Sequence, residues 1–441
     1  MAIELAIQSD FKRAGRKYDS AAMPKNSIYQ LTDNGRLCIP CKGRLWCGLD
    51  KCPILEQINI VAPKAAQIKR EMFGPSMNLF VGHSGYPDVF AGPMVSYDDS
   101  VEKENFLLYD DPSNWFGRPA SQIIGFRAGF ARGMKRAAVA ARQWESGGEY
   151  SESELALTAM AARPVDLEVS FAKTPQFRLS FSDIVQPMGP SERYDRMRIA
   201  SNVSIPSKVD SLIGENLAVR EALPELLQAN LGFYYVQKIL SAGVLGKKGR
   251  KRMVPTRWSI TATDRMIADH YLCAVREFEP VSDFLVYSGE YLDNHFEILL
   301  LPGCWEFEQF ESWEKGAAWN VYGDSTNIAH EYEPYEGRSD YAESEGGGYY
   351  AGRLGAAEAL FSMRRQGKVV IMREIGPEYK IPVGVWEVRE NARNAFKEGP
   401  VARFSELKGA LDFLKARLKN DFGAYLSKSR IMAQSRLSAF F

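Results

Sequence analysis

The chain carries no surplus of charge of either sign. Its 55 lysines and arginines equal its 55 aspartates and glutamates, so total charge points to no partner. Long apolar runs are missing as well. The strongest, FEILLLPGCW (296–305), is broken by Pro302 and Gly303, well short of the ~20 apolar residues a spanning helix needs. The start, MAIELAIQSDFKR, lacks the basic end and apolar stretch of a secretory signal, so the expectation is a cytoplasmic protein with no membrane association. Histidines number four: His83, His270, His295 and His330. His270 reads as a core histidine on a helix. His83, beside Ser84 and Gly85 at a strand end, is better placed to reach a ligand. There is no P-loop, dinucleotide fingerprint, H-E-x-x-H, G-x-S-x-G or kinase signature. The one glycine run, Gly346 to Gly348, lies in an acidic stretch that would repel phosphate.

What is present begins with cysteine. Four of six lie within fifteen residues, Cys38, Cys41, Cys47 and Cys52, at the spacing C-x2-C-x5-C-x4-C. In a reducing compartment four close thiols are metal ligands far more often than disulfides. A four-thiolate site has no open position, so it would be structural, with zinc the leading metal. An iron–sulfur cluster is the competitor, because the spacing is not that of a zinc ribbon and Pro53 follows the last cysteine. Cys273 and Cys304, isolated among apolar residues, read as buried core thiols.

The chain ends QSRLSAFF, placing Gln434, Leu437, Phe440 and Phe441 at the spacing Q-x-x-L-x-x-F-F. One turn of tight helix would bring the leucine and both rings to one side and leave the glutamine amide free. A small apolar plug on a flexible tail suits a partner's groove. The pattern resembles the peptide by which replication and repair proteins attach to the sliding clamp PCNA. Folding back on its own domain is the alternative.

Charge is uneven locally. The run KKGRKRMVPTR contributes Lys247, Lys248, Arg250, Lys251, Arg252 and Arg257 without an acid. Such a run would neutralise phosphates and bind DNA with salt-dependent affinity, or be a solvated loop. After it, RWSITATD alternates Ser259, Thr261 and Thr263 with Trp258, Ile260 and Ala262, which predicts a strand with hydroxyls on one face. Trp258 could stack on a base or enter the core, and Asp264 could cap the next helix. Further on, MREIGPEYKIPVGVWEVRENAR gathers Arg373, Glu374, Glu378, Tyr379, Lys380, Glu387, Arg389 and Glu390 around two expected strands, with Glu387 and Arg389 on one face. That group could hold a phosphate, a nucleotide or a metal, or be a network of ion pairs.

The rest of the chain reads as α+β with mainly antiparallel sheets and packed helices, a four-cysteine zinc knuckle before them and a flexible tail after. Two strands are expected in 78–96, a long helix over 121–144, strands at 165–172 and 196–203, and helix over 208–243 with Pro224 starting its second part. A helix following Asp264, strands within 282–310, a helix at 349–366, strand KVVIMRE and helices near 391–398 and 404–420 complete the expectation. Residues 331–348, acidic and glycine-rich, read as an exposed loop dividing domains.

The cysteine knuckle, VPTRWSITATD, EYKIPVGVWEVREN and QSRLSAFF together resemble the archaeal Nre family of DNA-repair proteins, nearest its NreA branch. The resemblance covers nearly all of the chain beyond the first thirty residues. It implies zinc on Cys38, Cys41, Cys47 and Cys52, and PCNA contact through Gln434, Leu437, Phe440 and Phe441. Residues 1–30 read as a polar arm, and the resemblance implies the knuckle (31–60), two Nre domains (61–330 and 331–425) and a clamp-binding tail (426–441) after it. No active site is carried over with it. DNA or nucleotide contact would fall to the cationic run, Ser259, Arg373 and Arg389. Rival readings are an enzyme acting on nucleotides or damaged nucleic-acid ends, an adaptor without catalysis, and an RNA-processing protein.

Overall fold

The computed structural model describes residues 67–97, 105–140, 153–177, 189–317, 320, 326–379 and 382–433. The four-cysteine knuckle, the 1–30 arm, Trp319, Lys380 and the terminal Gln434–Phe441 lie outside them. The described residues form an α+β fold of two six-stranded sheets, antiparallel except for one parallel pair in each.

The first sheet has the order β1-β5-β6-β4-β3-β2, built from β1 (Glu71–Ser76), β2 (Asn78–Val81), β3 (Asp88–Ser96), β4 (Phe130–Ala138), β5 (Val165–Phe171) and β6 (Ser191–Ile199). The expected pair in 78–96 is present, with His83 to Pro87 in its turn. The long helix expected over 121–144 is not. After a short α1 (Leu107–Asp110), α2 (Ala120–Ala128) stops at Gly129, and the chain enters β4. Apolar spacing alone suits a helix there, but β4 has β3 on one side and β6 on the other. At Gly133 a Cβ would crowd Pro93 and Tyr194, a close approach that favours glycine.

Helices follow: α3 (Glu154–Met160), α4 (Ser207–Gly214), α5 (Val219–Gln228), α6 (Phe233–Ala242) and α7 (Thr256–Val275). Pro224 lies inside α5 instead of starting it; the helix begins five residues earlier, where Glu221 accepts a hydrogen bond from the Ala218 N–H at 2.8 Å. RWSITATD is the largest correction, because it forms the first half of α7 and not a strand. Ser259 and Thr263 donate their hydroxyls to the carbonyls of Thr256 and Ser259, at 2.9 and 2.7 Å. The buried positions Ser259, Thr263, Ile267 and Ala268 repeat with helical spacing. Small polar residues that turn back on the helix thus look like an alternating strand in sequence.

The second sheet has the order β10-β9-β11-β8-β7-β12: β7 (Phe284–Tyr291), β8 (Asn294–Leu301), β9 (Glu306–Trp313), β10 (Asn327–Glu333), β11 (Lys368–Ile375) and β12 (Ala402–Phe404). Helices α8 (Gly347–Met363) and α9 (Trp386–Glu398) cover one face; α10 (Leu407–Arg417) and α11 (Phe422–Lys428) cover the other. VGVWEVR, expected as a strand, leads into α9, where Val388, Ala392, Ala395 and Phe396 form the buried stripe. Residues 334–346 form the expected loop, with Tyr335, Glu336, Asp340, Tyr341 and Glu343 exposed, but its ends are not: Glu331 and Glu333 on β10 and Glu345 before α8 are buried. Cys273 and Cys304 are exposed, not core thiols. The largest core joins Leu79, Val81 and Val89 of the first sheet to Ile298, Val369 and Ile371 of the second, through the helices between. Each such side chain contributes about 1.5–3 kcal/mol on burial, which makes the two sheets and their helices one body.

Candidate functional site

The basic run forms the turn between α6 and α7. Gly243 ends α6 at φ 73°, and a Cβ there would strike the carbonyl of Arg252. The returning backbone therefore crosses close over the helix end, tied by Val254 N–H to the Ser241 carbonyl at 3.0 Å. This crossing projects Lys247, Lys248, Arg250 and Arg252 as exposed residues. Lys251 instead leans inward, its Nζ donating to the Ile213 carbonyl at 2.8 Å. Thr256, at the start of α7, accepts from Val81 N–H at 3.0 Å and so holds the β2–β3 hairpin against the turn.

Two hairpin side chains complete the surface. The Tyr86 ring lies 5.3 Å from Trp258, centre to centre, and its hydroxyl meets Arg252. Trp258 is half-buried in this contact. His83 is exposed near Arg257; partial burial, aided by that guanidinium, lowers its pKa below the ordinary histidine value. A neutral imidazole can donate or accept there without adding charge. Arg257 stands in the first turn of a twenty-residue helix, where the helix dipole disfavours a cation and favours an anion. A phosphate beside Arg257 would satisfy both charges.

The remaining expected contacts are elsewhere. Ser259 is wholly buried on α7. Arg373, on β11, donates to Glu311 at 2.8 Å, to Glu387 at 2.9 Å and twice to Asn294. Arg389, on α9, donates to both oxygens of Asp264. Burial alone would lower the proton affinity of both guanidiniums, but the facing carboxylates reverse the shift upward. Burial also pushes Glu387 up, to about 6 with Arg373 opposing it. Asp264 is likewise raised by burial, less the effect of Arg389. Both arginines are committed to ion pairs inside the protein, on no surface shared with the basic turn.

Sequence reasoning missed the partners. Asp264 reads as a helix cap but sits mid-helix, fully buried. Glu333 accepts from Arg353 Nε and Nη2, Tyr349 and Trp305. Strand β9, EFEQFESW, buries seven of its eight residues, because helices cover both faces. Gln309 and Glu311 face α8, while Glu308 and Ser312 face the C-terminal helices. The signal was charged residues alternating with Phe307 and Phe310 in an otherwise strand-like run. Among the described residues no three His, Cys, Asp or Glu side chains form a group able to hold a metal.

The family description "Archaeal Nre, N-terminal" matches residues 46–320, and "Archaeal Nre, C-terminal" matches 333–440. The chain belongs to the archaeal Nre family. It is 34% identical over 411 residues to "DNA repair protein NreA" of Archaeoglobus fulgidus, covering 92% of this chain and 98% of that one. "DNA repair protein NreB" of the same organism is 32% identical over 402 residues, covering 90% and 97%. "DNA repair protein NreA" of Haloferax volcanii is 34% identical over 340 residues, covering 75% and 78%. No solved structure matches. The two Nre regions share structure in this member: β11, from the C-terminal region, lies between β8 and β9 of the N-terminal one.

Proposed function

We propose that this Nre-family protein acts in DNA repair in the cytoplasm, held at the sliding clamp PCNA by Gln434, Leu437, Phe440 and Phe441. The observation that carries the repair role is likeness, over nearly the whole chain, to proteins named for DNA repair. The clamp tether rests on the terminal Q-x-x-L-x-x-F-F. The described chain supports that geometry, because Ser429, Arg430 and Ile431 are pinned to Glu308 just before the peptide begins. DNA contact falls to Lys247, Lys248, Arg250, Arg252 and Arg257, all exposed in or just after the turn between α6 and α7. Tethering multiplies weak contacts by raising the effective concentration of DNA near the body.

A four-thiolate set at Cys38, Cys41, Cys47 and Cys52 suits zinc and would shape the N-terminal segment without taking part in chemistry. Arg373, Arg389 and Ser259 have no part in DNA contact on this reading, being buried and bonded within the fold. The test is clamp binding by surface plasmon resonance, comparing the full chain with a version ending at Ala433 and with Phe440→Ala/Phe441→Ala. Both altered chains should lose binding while keeping the thermal midpoint. Unchanged affinity in either would remove the tether.

A further inference from the structure

The first sheet carries rings and cations on its outer face that the DNA contact described above leaves unused. Along β2 and β3, Leu79, Val81, Val89 and Ala91 turn into the core. Phe80 and Phe90 alternate with them, so they point the other way, and both are partly exposed. Each ring has a guanidinium from β4 over it. Arg132 Cζ lies 4.9 Å from the centre of the Phe80 ring, and Arg136 Cζ 6.0 Å from that of Phe90.

Successive contacts lead from Phe90 to the basic turn. Arg136 stands opposite Phe90 in the ladder and reaches the hairpin turn, where a Cβ on Gly85 would lie 3.6 Å from its Nη2. The next residue, Tyr86, meets Arg252 through its hydroxyl and Trp258 through its ring. Backbone bonds fix these segments together. Val139 N–H donates to the Pro87 carbonyl at 2.9 Å and Met253 N–H to the Val139 carbonyl at 2.8 Å, beside a bridge between Ala140 and Arg252. Among the described residues, no carboxylate is paired with Arg136 or Arg252.

The combination selects the ligand. A duplex keeps its base faces stacked inside and offers such a surface only phosphates. An unpaired strand offers phosphates and open base faces together. Aromatic rings with arginines beside them hold both, and every base has a face to stack, so sequence matters little. We propose that single-stranded DNA binds here, with bases on Phe90 and Trp258 and phosphates at Arg136, Arg252 and the basic turn. The inference rests on the DNA contact proposed above and names the form of DNA it takes.

The test is fluorescence anisotropy of a labelled mixed-sequence strand, alone or annealed to its complement, titrated with the full chain. Wild type should hold the single strand more tightly than the duplex. Phe90→Leu and Trp258→Leu should each weaken the single strand roughly 5-fold or more, the loss of one stacked base. Duplex affinity and the salt slope should stay as in wild type, because no charge is removed. Phe90→Tyr, which keeps a ring, should keep the affinity. If Trp258→Leu does not fold, Phe90→Leu and the wild-type preference decide. A duplex held as tightly as the single strand, or wild-type single-strand affinity in folded Phe90→Leu, would overturn the proposal. Lys247→Glu/Lys248→Glu separates the two readings: if it still weakens both forms of DNA, the basic turn stands and only the single-strand assignment falls. An RNA strand of the same sequence held more tightly than the DNA would overturn DNA as the occupant.

Discussion

Arg389 grips Asp264 at two points, its Nε and Nη2 each 2.6 Å from a carboxylate oxygen, with both side chains 0% exposed. Asp264 belongs to the N-terminal Nre region and Arg389 to the C-terminal one. The pair therefore ties α7 to α9 across the two halves of the family. Removing one partner strands the other charge in the interior, at a cost of about 3–5 kcal/mol. Asp264→Asn should shift the urea midpoint of the whole body accordingly, while Asp264→Leu/Arg389→Met should recover much of the loss. A single variant as stable as wild type would show that the pair holds nothing together.

Glu333 makes stability depend on pH in one direction. Burial raises its pKa, but Arg353, with Tyr349 and Trp305 donating, brings it below the ordinary carboxylate value. A lowered folded pKa means stability present above the unfolded value and lost as pH falls through the folded one. Glu333→Gln should thus be clearly less stable than wild type above roughly pH 5, the gap narrowing as the medium turns more acidic. Thermal unfolding of both proteins across that range reads it. A gap that widens with acid would contradict the sign.

Glu308 pins the last described residues of the chain. Its carboxylate accepts from Ser429 Oγ and the backbone N–H groups of Arg430 and Ile431, while His330 Nε2 lies 3.1 Å away. Glu308→Leu should speed amide hydrogen exchange at Arg430 and Ile431 and leave the amides of α8 unchanged. Slow exchange retained at both residues would place the anchor elsewhere, for instance in Arg430 over the Tyr332 ring.

The basic turn should bind DNA by charge and not by base sequence. Lys247→Glu/Lys248→Glu should weaken binding alike for unrelated sequences. The slope of log affinity against log salt should flatten by about 0.7–0.9 for each phosphate that is no longer neutralised. Fluorescence anisotropy at several salt concentrations measures both. An unchanged slope would move DNA binding away from this turn.

Local signals carried part of the fold. The β2–β3 hairpin is legible because its turn residues separate two short apolar runs. KVVIMRE is legible because an apolar run of strand length meets Gly376-Pro377. RWSITATD and VGVWEVR misled for one reason: each shows alternation that a helix can also produce when small or polar residues are buried in it. The helix expected over 121–144 failed differently. Its apolar spacing is real, and only pairing with β3 and β6 turns Phe130–Ala138 into a strand. The run of cations was visible, but its surface needed the hairpin that brings His83 and Tyr86 beside it.

By itself, the sequence determined the family, the α+β class, the cysteine spacing and the terminal Q-x-x-L-x-x-F-F spacing, because each is written in neighbouring residues. Only the tertiary structure decided which charges face water. Arg257 and Arg389 look equally available in a string of letters. One stands exposed at the start of a helix; the other is neutralised by an aspartate 125 residues away. Burial and pairing arise from packing between distant segments, and no local pattern encodes which distant partner a charge will meet.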